Sequence, residues 1–294
     1  MAVDTIKKLM DIELDVGATN WRVPGKNDND TEYKVAKEAI FKRDVTCRFC
    51  GFRGSPDTKA KIKNNGMELH FLDGNGLNLE HDNLVMSCNM CRMCFNLDYA
   101  AEQKAILAFI PDMTQAQINC TVRSILYISY FVEHARKKYE AEKQGKPLEG
   151  DMLPDSVKNI RHLLSSCEAA YADIKSHSAH AVELLGTDRP DELGQAIMQY
   201  RKELENAGNA DKIGAEIRTK FDMNSGGAST GDGKLPPLED ILYGIRLIPT
   251  QPGCDPKAWH PPTGTYITSL PKTWEEQYIA AKAAFVEAGI DLGI

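Results

Sequence analysis

With 294 residues, 42% hydrophobic and 26% charged, the chain has the composition of a globular protein with apolar mass for one large domain or two ordinary ones. No apolar run reaches bilayer length and the start, Met1-Ala-Val-Asp-Thr, lacks a basic-then-apolar leader, so the expected setting is the cytoplasm. The net charge of −7 is uneven: residues 34–63 carry nine basic side chains (Lys34, Lys37, Lys42, Arg43, Arg48, Arg53, Lys59, Lys61, Lys63) against three acidic ones, leaving the rest near −13.

Residues 1–30 end in Gly-Lys-Asn-Asp-Asn-Asp and read as loop, with Trp21-Arg22 as a candidate anchor to a core. Tyr33, Ala36, Ile40 and Phe41 recur at helical spacing and predict a helix over 32–43. Residues 55–66 read as loop; then Met67-Glu-Leu-His-Phe-Leu-Asp-Gly alternates and closes on a turn dipeptide, predicting a strand. A helix is expected through 89–103 and a short buried strand over 106–110. Thr114-Gln-Ala-Gln117 has the form of a capping box and should open a long helix. Its stripe includes Ile118, Val122, Ile125, Leu126 and Ile128. Over Ile125, Tyr127, Ile128, Tyr130, Phe131 and Val132 it is apolar around most of its circumference, a face for another helix or an extended peptide. A linker over 145–151, helices near 155–185 and 190–207, and a glycine- and serine-rich stretch over 224–234 follow. Leu238–Leu247 is expected to be one helix leading to Pro249, with a last amphipathic helix near 273–288.

The strongest chemical signal is Cys47-Arg-Phe-Cys50 followed, after 37 residues, by Cys88-Asn-Met-Cys91. Each Cys-x-x-Cys turn converges two thiolates on one ion, and two such turns complete a closed tetrahedral sulfur site. Filled on four sides by protein, such a site suits a structural Zn2+ and leaves no open position for catalysis. Cys94 continues the spacing. On a helix starting near Cys88 it falls two turns from the ion, as a packed thiol, and exchange of Cys91 for Cys94 is the main rival assignment. Arg48, Arg92 or backbone amides are the expected donors to the thiolates. In a reducing compartment, Cys120 and Cys167 read as buried free thiols. The basic window suits phosphates or an acidic protein, or is simply solvated surface.

Glu68-Leu-His-Phe-Leu-Asp-Gly-Asn75, Asp82-Asn-Leu-Val85 and the second knuckle have the layout of a ββα-metal module, preceded by the zinc knuckle common in the HNH endonuclease group. The resemblance breaks where hydrolysis would occur. His70 stands at a metal-ligand position, but Phe71 occupies the place of the general base and Arg92 that of the second metal-binding histidine. His70 reads as structural, His81 as a solvated loop residue, and Asn83 alone matches the middle asparagine.

A second resemblance covers more of the chain. Trp21-Arg22, Ile40 to Phe52, Asn83-Leu-Val-Met-Ser-Cys-Asn-Met-Cys-Arg-Met-Cys-Phe95, Leu107-Ala-Phe-Ile-Pro-Asp-Met-Thr-Gln-Ala-Gln-Ile-Asn119 and Gly244-Ile-Arg-Leu-Ile-Pro249 occur in order. This series resembles the IcmJ (DotN) family of type IVB secretion systems. The resemblance implies a non-catalytic zinc scaffold in a cytoplasmic coupling complex, peripheral to the inner membrane, that binds a segment of the coupling ATPase. The rival readings are an HNH-type endonuclease and a zinc-ribbon nucleic-acid binder.

The expected fold is α+β: a small ββα HNH-like zinc module joined to a mainly helical remainder. The expected division is 1–110 (N-terminal segment and zinc module), 111–222 (helical), 223–237 (linker) and 238–294 (C-terminal helix and tail). The predicted metal ligands are Cys47, Cys50, Cys88 and Cys91, with no catalytic residue.

Overall fold

The computed structural model describes residues 9–16, 30–52, 66–142, 155–205 and 238–250, and the fold is α+β. Helix α1 (Thr31–Arg43) starts where the Asp30 side chain accepts from the Tyr33 amide at 3.0 Å, and it ends with Lys42 and Arg43 at its carbonyl end. The first knuckle follows. Strand β1 (Met67–Phe71) pairs antiparallel with β2 (Leu84–Cys88), Met67 opposite Cys88 and Phe71 opposite Leu84. Between them, Asn83 Oδ1 accepts from the Asp73 amide, and Asp73 in turn accepts from Asn75, Asn78 and Asn83. The matched middle asparagine thus has a turn-closing role.

The helix expected through 89–103 is two helices, α2 (Asn89–Cys94) and α3 (Leu97–Glu102). The break has a local cause. Asn96 is extended and its side chain accepts from the Tyr99 amide, starting a new helix, while its own amide donates to Met93 O. The segment 9–16 locks this corner, with Asp15 N donating to Cys94 O and Leu97 N donating to Asp15 O.

Strand β3 (Ile106–Phe109) leads to α4 (Gln115–Glu142), and the capping box forms in both directions: Gln117 N donates to Thr114 Oγ1 and Thr114 N to Gln117 Oε1. Helix α5 (Asp155–Ser176) packs along α4. The helix expected over 155–185 breaks at His177, and α6 (Ser178–Leu185) ends at left-handed Gly186. Helix α7 (Pro190–Glu205) lies on α3, where Gly194 brings its backbone close to Leu97 and Val16.

The helix expected over 238–247 is corrected by the structure. Only Leu238–Ile241 is helical; the chain turns at Gly244 (φ 74°), and β4 (Ile245–Ile248) pairs antiparallel with β3. β-Branched Ile245 and Ile248 and the left-handed glycine favour turn and strand over helix. This pairing stitches the last described segment to residues 106–109.

One hydrophobic cluster runs through both sheets, from Ile40, Leu69, Met86 and Met90 to Leu97, Leu107, Ile118 and Leu247. Each such side chain contributes about 1.5–3 kcal/mol of burial. Trp21-Arg22, most of the loop over 55–66, the stretches 145–151 and 224–234 and the helix expected near 273–288 lie outside the described residues, as do the side chains of Tyr127, Ile128, Phe131 and Val132.

Candidate metal centre

The first knuckle is a tight turn held by its own backbone. Gly51 N donates to Cys47 O, Cys47 N to Phe52 O, and Gly51 adopts φ 75°, a conformation suited to glycine. Arg48 N donates to Met86 O, which pins the knuckle to β2. The second knuckle is the β2–α2 junction: Cys88 is the N-cap of α2 and its Sγ accepts from the Cys91 amide at 3.5 Å. A strand end and a helix start, joined within four residues, thus aim two sulfurs at the first pair.

The sulfurs of Cys47, Cys50, Cys88 and Cys91 all lie within 4.8 Å of one another and all four residues are buried. Cys50 Sγ and Cys88 Sγ are 3.6 Å apart. A tetrahedral ion with metal–sulfur bonds of about 2.3 Å requires sulfur separations of about 3.8 Å, so the four side chains fit a small dication. An all-sulfur donor set favours zinc or iron over magnesium or calcium.

Electrostatics add to the fit. Burial pushes the Cys47, Cys50 and Cys91 thiols well up. Burial acts on Cys88 too, but hydrogen bonds from the other three thiols and the Arg123 guanidinium outweigh it and hold Cys88 well below the ordinary thiol value. Four buried thiols this close together favour a bound cation as counter-charge for their thiolate forms.

Cys94 is fully buried, stands outside the group of four, and directs its Sγ to Met90 O at 3.5 Å. It is a packed thiol, as expected from its place on the helix. Cys120 and Cys167 are also buried free thiols.

Helix α4 contributes what sequence reasoning missed. Arg123 Nη2 lies 2.8 Å from Cys88 Sγ and Nη1 3.6 Å from Cys50 Sγ, with the guanidinium over the Phe52 ring at 4.2 Å. Asn119 Nδ2 donates to Cys91 Sγ at 3.3 Å. Arg92, nominated beforehand as a donor to the thiolates, lies against Glu68 instead, at 3.8 Å. The only advance signal was helical phase: 115, 119 and 123 share the face of Ile118 and Val122, and polar residues on an apolar stripe ask for a buried partner.

The positions that would carry hydrolysis are otherwise engaged. His70 packs between Phe49 (ring centroids 5.0 Å apart) and Phe95 (4.3 Å). Burial, with the nearby Arg92 charge, lowers its pKa to about 4. Glu68, two residues before it on β1, accepts from Tyr33 Oη at 2.9 Å and pairs with Lys37 at 2.9 Å. His81 is exposed and faces Arg43. In the basic window, Lys37 is buried on Glu68, Arg43 pairs with Asp44 and the His81 carbonyl, and Arg53, Lys59, Lys61 and Lys63 lie outside the described residues.

The fold and this centre define a class: an α+β protein built around a four-cysteine cluster on a ββα module. No family model matches the chain. Among curated proteins, the chain is similar to the Type 4 apparatus protein DotN of Legionella pneumophila, 29% identical over 113 residues, which is 37% of this chain and 49% of that protein. The chain thus spans about half the length of that relative. The likeness agrees with the motif order read in the sequence.

Proposed function

We propose that the protein is a non-catalytic, zinc-containing scaffold of the coupling complex of a type IVB secretion or conjugation system. It holds an extended segment of the coupling ATPase. The observation that carries the reading is the closed sulfur cage: four buried thiols supply four ligands, and none of the coordination sphere is left for water or a phosphate. Zinc bound there supplies a crosslink between α1's exit and the β2–α2 junction. The chain's own residues then act as a platform: Arg123 and Asn119 brace the sulfurs, and Phe49 of the first knuckle packs on His70 and Phe95.

Two features favour scaffold over nuclease. Phe71, at the place of the base, is buried on β1, and Arg92, at the place of the second metal-binding histidine, is engaged with Glu68. The motif order and the DotN likeness support the secretion setting. Among the described residues no helix is long and apolar enough to cross a membrane, which accords with a subunit reaching the inner membrane through its partners, from the cytoplasmic side.

Co-expression with the coupling ATPase of the same system, followed by co-purification and metal analysis, tests the reading. A stable complex with one zinc per chain is expected. Absence of a complex removes the scaffold role, and magnesium-dependent plasmid cleavage lost in His70→Ala replaces it with the nuclease reading.

A further inference from the structure

Three buried polar side chains of α4, spaced four residues apart, line one interior stripe: Gln115 is hydrogen-bonded to Asn119, and Asn119 and Arg123 each reach cysteine sulfurs. Gln115 sits at the β4 end. Its Oε1 accepts from the Leu247 amide at 2.8 Å and its Nε2 donates to the Leu247 carbonyl at 2.7 Å, so the side-chain amide pairs with the strand as a neighbouring strand would. The second Nε2 hydrogen goes to Asn119 Oδ1 at 3.0 Å. An amide oxygen that accepts there forces the Asn119 Nδ2 group the other way, to Cys91 Sγ at 3.3 Å and Cys94 Sγ at 3.9 Å. One turn on, Arg123 donates to Cys88 and Cys50. Gln115, Asn119 and Arg123 are each at most 5% exposed. Such burial is costly for a guanidinium and two amides unless the groups they meet carry charge.

We propose that Asn119 and Arg123 are positioning residues for the metal thiolates, donating to three of the four sulfurs, and that Gln115 links the same stripe to β4, so that metal retention and docking of the Ile245–Ile248 strand are coupled. The inference rests on the four cysteines holding an ion. Four thiolates around one dication leave a charge near −2. A buried guanidinium shared by two of the sulfurs lowers that excess, and an N–H donor to a third draws electron density from it. The orientation of Asn119 is set from both sides: Gln115 Nε2 occupies its oxygen and the Cys91 sulfur accepts from its Nδ2 group.

The test uses the full chain, loaded with zinc and separately with cobalt. Asn119→Leu and Arg123→Met are expected to keep one metal per chain and to lose it to a competing chelator about 10–100-fold more readily. The cobalt form of each variant should move its sulfur-to-metal charge-transfer band to lower energy, because a sulfur stripped of its N–H donor is easier to oxidise; a purely structural role leaves that band in place. Gln115→Leu should show a smaller shift of the same sign. Metal removal from the unaltered chain should speed hydrogen exchange at the Leu247 amide. Arg123→Lys and Asn119→Gln, which keep a donor, provide the comparison where the apolar variants fail to fold, and partial restoration is expected. Unaltered chelator kinetics and an unmoved band in variants that bind one metal overturn the inference. An unaltered chain that takes up no metal overturns the metal reading itself, a different result.

Discussion

Acid should weaken this fold through His70. The ring is enclosed by Phe49 and Phe95 on β1's inner side, and the Arg92 guanidinium adds positive potential, so burial first and charge second bring its pKa down to about 4. In the unfolded chain the imidazole takes a proton below about pH 6.5. Between these values the unfolded state binds more protons than the folded one. The stabilisation is therefore full above about pH 6.5 and is lost as pH falls, levelling off near pH 4. The difference between about 6.5 and about 4, at roughly 1.4 kcal/mol per pH unit, amounts to about 3.5 kcal/mol over the full window. Urea unfolding of the unaltered protein and of His70→Phe, at about pH 7 and about pH 4.5, measures it. Thiolate protonation weakens metal retention in both proteins alike, so the difference between them isolates the imidazole. The unaltered protein should lose about 2–3 kcal/mol more than the variant on acidification. Equal losses would mean that His70 is hydrated and charged in the fold, and the account of the β1 face would be wrong.

Three other outcomes follow from particular contacts. Gly244→Ala places a Cβ 2.5 Å from Phe109 Cε2 and 3.2 Å from Pro111 Cβ at φ 74°, so urea unfolding should show a loss of about 2–4 kcal/mol. Cys94→Ala should retain one metal per chain by elemental analysis, whereas Cys91→Ala should retain less; the reverse would make Cys94 the fourth ligand. Glu68→Gln strips Lys37 and Arg92 of the carboxylate they share, and at these burials a loss of about 3–5 kcal/mol is expected in denaturant unfolding, with metal content unchanged.

How much of this was legible in the residues depends on how local the determining interactions are. Both knuckles, Gly51, the capping box at Thr114 and the strand at Met67 are set within a few positions, and the sequence shows them. Cys94 was left between two readings, because Cys91 and Cys94, three residues apart, share a helix face; the structure separates them by placing only Cys91 within reach of the other three sulfurs. One misread element was decided by a distant partner. Leu238–Leu247 reads as a helix until Ile106–Phe109 is there to pair with it; the break in 89–103 differs, since the cap at Asn96 is local and Asp15, about 80 residues away, adds backbone bonds to Cys94 and Leu97. Of the thiolate donors expected, a backbone amide is found, Cys91 N to Cys88 Sγ, while the guanidinium that reaches the sulfurs comes from Arg123, 35 residues past Cys88, and not from Arg92 beside the knuckle.

The helix that supplies this donor is also the one whose start is most firmly written. Thr114 and Gln117 close the capping box and thereby fix where α4 begins and how it is rotated about its axis. From that start each step of four residues advances about 40° around the helix, so 115, 119 and 123 form a slowly turning stripe and not a straight row. The drift matches the targets: Gln115 meets β4, Asn119 meets Cys91 on α2, and Arg123 meets Cys88 and Cys50 further round. A shift of α4 by a single residue would turn all three away by about 100° and take their amide and guanidinium donors off the sulfurs. The Pro-Asp-Met-Thr-Gln-Ala-Gln-Ile-Asn segment therefore serves two purposes at once. Its outward residues set the helix phase, and its inward residues use that phase to hold the metal centre against the β3–β4 sheet.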